Sequence, residues 1–174
     1  MVTDTLRELL VRYKAIEFGE FTLASGAKST YYIDVKSAVT HPDLLMAVAS
    51  QVAESFDFDV IAGVAVGGIS LAVAVSLVAK KPYVIIRSAE KGHGKKDLII
   101  GEVRGKNVLL IEDVTTSGGS ALYGIEVLRA AGARADRVVT VVDREQGAGQ
   151  KLLEHGVEIL PLVRVSELLR SRDF

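Results

Sequence analysis

The sequence predicts an α/β fold with a mostly parallel central sheet flanked by helices. Short β-branched and aliphatic runs alternate with helical stretches along the chain, the pattern of strand-helix-strand units. The runs Val60-Ile61-Ala62-Gly63-Val64-Ala65 and Val108-Leu109-Leu110-Ile111 contain no polar side chain, as a sheet covered on both faces requires. With 49% hydrophobic and 25% charged residues among 174, the composition is that of one ordinary globular domain spanning residues 1–174. No repeat, linker or low-complexity segment interrupts it.

The elements follow in order. Leu6, Leu9, Leu10 and Tyr13 recur three and four apart, so the stretch from Thr3 to about Tyr13 is expected to be a helix. Phe18 to Tyr32 reads as irregular or short extended structure, with Ser25-Gly26 as a turn and Tyr31-Tyr32-Ile33 as a strand. Pro42 in the first turn and an apolar stripe at Leu45, Val48, Ala49, Val52 and Phe56 predict a second helix. After it come a strand at Val60 to Ala65, a turn at Gly67-Gly68 and a buried helix from Ile69 to Lys80. Tyr83 to Ile86 is a strand, and Arg87 to Asp97 a polar, glycine-containing loop expected to be mobile. Strands at Leu98 to Glu102 and Asn107 to Glu112 lead to a small-residue loop from Thr115 to Ser120. The chain closes with a helix from Ala121 to Ala131, a strand from Arg137 to Val142, a short helix from Gln150 to His155, a strand from Glu158 to Val163, and a last helix capped by Ser166.

Mean hydropathy is +0.30, and the apolar weight is concentrated. Val60 to Ala79 carries no charge and reaches the roughly 20 residues that a membrane span needs. The glycine pair and the flanking alternation favour a buried strand and helix instead. Asp4, Arg7, Glu8 and Arg12 interrupt any signal-peptide core. Cysteine is absent, which removes disulfide scaffolds, thiol nucleophiles and thiolate zinc sites and fits a reducing, cytoplasmic setting. Lys plus Arg number 21 against 22 for Asp plus Glu, a net charge of -1. No basic excess favours nucleic acid or an anionic membrane.

The sharpest chemical segment is Val108-Leu109-Leu110-Ile111-Glu112-Asp113-Val114-Thr115-Thr116-Ser117-Gly118-Gly119-Ser120. A buried strand delivers two acids to the sheet edge where open α/β folds bind ligands. The hydroxyl- and glycine-rich turn beyond opens a helix, offering free N–H groups, hydroxyls and a positive dipole end to a phosphate. Acids beside a phosphate cradle repel it unless they serve sugar hydroxyls or water around Mg²⁺. The combination points to a phosphorylated sugar; the plain alternative is a capped helix start behind two solvated acids.

This segment resembles the 5-phosphoribosyl 1-diphosphate (PRPP) signature of the type I phosphoribosyltransferases. Phe21-Thr22-Leu23-Ala24-Ser25-Gly26-Ala27-Lys28-Ser29-Thr30-Tyr31-Tyr32-Ile33-Asp34 is similar to the amino-terminal motif of their orotate-using branch, the orotate phosphoribosyltransferases. Arg87-Ser88-Ala89-Glu90-Lys91-Gly92-His93-Gly94 is similar to that branch's catalytic loop. The resemblance implies the type I fold with a small hood, mainly within residues 15–40, over the base site. It implies transfer of the phosphoribosyl group from PRPP to orotate, with Mg²⁺, in pyrimidine biosynthesis. Glu112 to Ser120 would hold the ribose and 5′-phosphate, with Asp113 also counted as catalytic and as a water-mediated contact to Mg²⁺ carried by PRPP. Arg87, Lys91 and His93 would meet the diphosphate as its charge grows, on a loop that closes over the site and serves the neighbouring subunit of a homodimer. Arg144 and Thr116 would bind orotate, the arginine as a bidentate anchor for its carboxylate, with Phe21, Ser25 and Lys28 shaping the base pocket and Tyr32 and Asp34 supporting it. On residues alone, Asp143-Arg144-Glu145 reads as an exposed charge cluster.

Three positions depart from the better-known bacterial pattern: Ala24, Gly67 and Ser88 each stand where a lysine is common. Lys28, Lys95 or Lys96 are the expected compensating cations. Competing readings are weaker. Gly63-Val64-Ala65-Val66-Gly67-Gly68-Ile69-Ser70 almost fits a P-loop, but Ile69 occupies its lysine position, and no Gly-x-Gly-x-x-Gly follows a strand. His41, His93 and His155 are too scattered for a metal centre. A purine phosphoribosyltransferase would lack the Phe21 to Asp34 segment and the Lys91-Gly92-His93-Gly94 loop. A PRPP-sensing regulator without turnover would be expected to carry a basic nucleic-acid-binding region.

Overall fold

The computed structural model describes residues 5–22, 26, 28–88 and 98–170. Its centre is a six-stranded sheet of β3 (Val60–Val64), β4 (Tyr83–Ile86), β5 (Ile99–Ile100), β6 (Asn107–Thr115), β7 (Arg134–Asp143) and β8 (Glu158–Arg164). The spatial order is β5-β4-β3-β6-β7-β8. All neighbours run parallel except the edge pair β4 and β5. A separate antiparallel hairpin, β1 (Ile16–Thr22) and β2 (Lys28–Ile33), lies within the stretch expected to form the hood.

Seven helices complete the described chain: α1 (Leu6–Arg12), α2 (Val35–Ala38), α3 (Pro42–Ser55), α4 (Gly67–Ala79), α5 (Gly119–Ala130), α6 (Ala148–Glu154) and α7 (Val165–Arg170). Strand side chains alternate between faces, and this divides the core in two. Ile61, Leu109, Ile111, Val139 and Val141 pack with Leu9 and Leu10 of α1, Leu44, Val48 and Val52 of α3, Leu71 and Val75 of α4, and Leu168 of α7. Val60, Ala62, Val64, Val108, Leu110 and Val138 face Ala121, Ile125 and Leu128 of α5 and Leu152 of α6. Both sheet faces are covered, which explains the unbroken apolar strands.

From β3 the chain winds outward to β4, whereas from β6 it winds the other way to β7 and β8. The winding reverses between β3 and β6, so their carboxyl ends form the switch-point crevice where such sheets bind ligands.

Several local expectations change. The span-length run resolves into β3 and α4, and among the described residues no helix is long and apolar enough to cross a membrane. Gly67 and Gly68 form the first turn of α4 rather than a turn before it. The segment read as irregular or short extended structure holds β1 and β2, and the largely exposed pattern of β1 gives no apolar signature. The short helix α2 also escapes periodicity, because four residues barely complete one turn. β6 runs on through both acids to Thr115, since β7 continues to pair with it there. Ser166 lies inside α7 rather than capping it; its N–H is satisfied by Glu145 Oε2 at 2.9 Å.

The start of α4 packs backbone to backbone on β3. A Cβ at Gly63 would come within 2.2 Å of the Gly68 carbonyl oxygen, and one at Gly68 within 2.9 Å of the Ile111 carbonyl oxygen. Gly63→Ala should therefore lower stability by about 3 kcal/mol or more, because rigid backbone must move. Gly149→Ala, whose added Cβ meets only Ile159 Cγ2 at 3.6 Å, should change it by less than about 1 kcal/mol, in the stabilising direction. Denaturant unfolding of both variants checks this pair; equal losses would contradict the close approach.

Candidate active site

Glu112 and Asp113 lie at the carboxyl end of β6, only 4% and 5% exposed. As neighbours on a strand they point to opposite sides. Glu112 turns toward α5, where its Oε1 accepts from the Ser120 hydroxyl at 2.7 Å. Asp113 turns toward the hood, where its Oδ2 lies 2.9 Å from Lys36 Nζ on α2. Apart from this charged contact, Asp113 Oδ2 has no hydrogen-bond partner among the described residues. The contact is thus an ion pair, and the buried oxygen keeps its capacity to accept. The backbone of Gly67 closes the third side: a Cβ there would stand 2.6 Å from Asp113 Oδ1. Any side chain at position 67 would push into the carboxylate, which explains a glycine at this point.

Burial lifts the Glu112 carboxyl to about 7; the Ser120 hydrogen bond and the Lys36 charge pull it down, and Asp113 pushes it up. The Asp113 carboxylate in turn holds Lys36 above the ordinary lysine range. Two adjacent acids at a dry strand end are tolerated because one shares its environment with a hydroxyl and the other with an ammonium.

The turn after β6 has the features that suit an anion. Gly118 takes a left-handed conformation, φ 76°, that β-carbon-bearing residues avoid, and α5 starts directly after it. No side chain caps that terminus, so its first N–H groups remain available. Thr116, Ser117, Gly119 and Ser120 are exposed, and Val114 is half-buried. Thr115 is buried, its hydroxyl donating to Asp143 Oδ1 at 3.3 Å. Thr115 therefore supports the loop from beneath, while its neighbours face outward.

Asp143 is buried, which corrects the reading of 143–145 as an exposed cluster. Its Oδ1 also accepts from Glu145 N–H at 2.9 Å. Arg144 N–H donates to the Thr115 carbonyl at 2.9 Å, tying the end of β7 to the anion turn. The Arg144 guanidinium lies 5.6 Å from the ring centre of Tyr31 on β2, and its buried Nε has no partner. Tyr31 on β2 and Lys36 on α2 both reach the sheet edge, and sequence reasoning assigned neither to the site. Tyr31 was visible only as a strand residue, and nothing in the spacing tells which face of a short hairpin meets β7.

Arg87 lies exposed just past β4, its carbonyl accepting from Tyr123 OH at 2.9 Å and its N–H donating to Leu98 O at 2.9 Å. Parallel pairing brings the ends of β4, β3, β6 and β7 to one edge, so Arg87 shares that edge with Asp113 and Arg144. Phe21 packs against Tyr32 in a tilted ring pair, 5.7 Å between centroids, and Lys28 Nζ donates to Thr22 Oγ1 at 2.9 Å within the hairpin. Asp34 supports the site indirectly, as the cap of α2, accepting from Ser37 N–H at 3.0 Å and Ser37 OH at 2.6 Å. Ser25, Lys91, His93, Ala24, Lys95 and Lys96 lie outside the described residues. Among the described residues no group of three or more His, Cys, Asp or Glu is placed to hold a metal ion. The acids at Glu112 and Asp113 supply hard oxygen donors suited to Mg²⁺ through water.

The Glu112 carboxyl makes a signed prediction. The folded chain holds its proton more tightly than the unfolded chain, whose ordinary value is 4.5. Its support for the fold is complete below about 4.5 and is lost as pH rises to about 7, a swing on the order of 3 kcal/mol. In metal-free buffer the Tm of Glu112→Gln relative to the parent should rise across that window; a flat difference would contradict the effect of burial.

Comparison with known proteins agrees with this geometry. The family model described as phosphoribosyl transferase domain matches residues 35–157. An orotate phosphoribosyltransferase of Methanocorpusculum labreanum is 61% identical over 168 residues, covering 97% of this chain and 99% of its own. The crystal structure of orotate phosphoribosyltransferase from Aeropyrum pernix superposes with a TM-score of 0.84 at 28% identity, covering 96% and 97% of the two chains. That of the Mycobacterium tuberculosis H37Rv enzyme in complex with PRPP does so with a TM-score of 0.77 at 27% identity, covering 94% and 96%. The chain belongs to the phosphoribosyl transferase family and, within it, to the orotate phosphoribosyltransferases.

Proposed function

We propose that the chain transfers the 5-phosphoribosyl group of PRPP to orotate, giving orotidine 5′-monophosphate and diphosphate, at the edge built by Asp113, the 115–120 turn and Arg144. One observation carries the assignment of roles. Among the described residues, Asp113 Oδ2, which meets only the Lys36 charge, and Arg144 Nε are buried side-chain atoms without a full hydrogen-bond partner, at the carboxyl ends of adjacent strands. Buried polar atoms are normally paired. An acceptor fits a sugar hydroxyl and a guanidinium fits the orotate carboxylate, and the uncapped turn between them fits a phosphate.

The reaction breaks the bond from the ribose anomeric carbon to diphosphate, which leaves with the electron pair, and forms one from that carbon to orotate N1, which gives up its proton. Positive charge grows on the ribose and negative charge on the leaving group. Asp113, negatively charged and held against the Gly67 backbone, favours the ribose side. Thr116, Ser117, Gly118, Gly119 and Ser120 hold the 5′-phosphate and with it the position of the anomeric carbon. Arg144, stacked on Tyr31, fixes the base plane. Arg87, with Lys91 and His93, is assigned to the diphosphate. Mg²⁺ carried by PRPP supplies further charge neutralisation on the diphosphate, and Glu112 and Asp113 are the residues that would meet it through water.

The family reading extends to a homodimer in which residues 87–97 serve the neighbouring subunit's site. PRPP is a polyanion and orotate an anion, neither of which crosses a bilayer unaided, which supports a cytoplasmic place of action.

Loss of orotate absorbance with PRPP and Mg²⁺ tests the function; no turnover with orotate but turnover with a purine base would overturn it. Arg144→Ala should raise the orotate KM by about tenfold or more, the loss of a charged hydrogen-bonding anchor, with a smaller change in the PRPP KM. Lys91→Ala should instead lower kcat by roughly a hundredfold, because its partner charge develops only in the transition state. Steady-state kinetics of both variants decide, and equal effects on kcat and orotate affinity in each would remove the division of labour.

A further inference from the structure

Lys36 stands on α2, directly behind the hood strand β2. Its own helix is firmly placed: Val35 and Ala38 are buried, Asp34 caps the first turn, and Asp34 N–H donates to the Ala15 carbonyl at 2.9 Å. Lys36 therefore points outward from a fixed base. Its side chain is 62% exposed, while the Asp113 side chain it meets at 2.9 Å is 6% exposed. The lysine end of this pair is solvated, so its main contribution is to keep the buried carboxylate from being an uncompensated charge. Its chemical effect falls on the carboxylate.

PRPP brings a phosphate and a diphosphate to an edge that already holds two acids. Each carboxylate repels these anions, and in a partly dry crevice that repulsion is weakly screened. Lys36 is the cation paired with Asp113 among the described residues. Apart from Lys36, Asp113 Oδ2 has no partner among the described residues. The lysine restrains the carboxylate and offsets its charge, and the carboxylate's remaining lone pairs can still accept from a ribose hydroxyl. Lys28, one of the cations the sequence offered for charge compensation, is engaged with Thr22 within the hairpin.

We propose that Lys36 is a positioning residue for PRPP, holding the Asp113 carboxylate ready for the ribose hydroxyls and offsetting its charge against the incoming phosphates. The proposal rests on the reading of Asp113 as a ribose contact. It makes the hood, whose other contact at the edge is Tyr31 on Arg144, a contributor to both substrates.

The test uses Lys36→Gln and Lys36→Arg in the full chain, with Mg²⁺-PRPP binding read by titration calorimetry and both KM values by initial rates. Lys36→Gln should weaken PRPP by about tenfold while moving the orotate KM by less than about twofold, and Lys36→Arg should restore most of the loss. In an Asp113→Asn background the Lys36→Gln effect should shrink to within about twofold, because the lysine acts through that carboxylate. Unchanged PRPP binding in Lys36→Gln would overturn the proposal. So would an equal loss in the Asp113→Asn background, or a parallel loss of orotate affinity, which marks general damage to the hood. A parent chain that binds PRPP but never converts orotate would overturn the functional reading instead, and the calorimetric contrast would still decide the role of Lys36.

Discussion

Two acidic side chains held at the buried end of a central strand are the constraint on which the site depends. A carboxylate out of water is costly unless it finds partners, and β6 places Glu112 and Asp113 where bulk water scarcely reaches. The fold meets the cost on two sides. From α5, Ser120 donates to Glu112; from α2, Lys36 sits against Asp113. Burial still lifts Glu112 to about 7, so the compensation is partial. A site kept partly unsatisfied is poised for a ligand that brings its own hydroxyl donors.

The same strand end explains the small residues around it. Gly63 and Gly68 let the first turn of α4 settle on β3 at backbone distance, and this brings the Gly67 backbone against Asp113. A lysine at position 67 would need a Cβ in the space the carboxylate occupies. Cationic compensation therefore comes from another element, and α2 provides it.

The hood gains its place by the same kind of contact. Its hairpin is largely exposed and buries little apolar surface of its own. It is anchored at its ends, by Ile16 and Ile33 in the core, and it meets the sheet edge through Tyr31 and Lys36. Each of these contacts falls on a polar residue proposed to bind one of the two substrates. The weakly packed element is thus coupled to the site rather than to the core.

The sequence by itself determined the sheet, its parallel sense and the strand-acid-turn-helix segment, because buried strands covered on both faces and a glycine-hydroxyl turn leave local signatures. Val60 to Val64 and Val108 to Ile111 could be little else, and Gly118 marked the anion turn. It also carried the family, through three motifs in order. The tertiary structure decided what depends on contact between distant segments. β1 and α2 have no apolar period to betray them. The burial of Asp143 comes from the pairing of β7 with β6, where Thr115 meets it, and the alignment of Tyr31 with Arg144 and the reach of Lys36 to Asp113 arise only where residues 15–40 pack on the ends of β6 and β7. Charge pairing across such distances is set by where backbones cross, and no spacing within one segment encodes that.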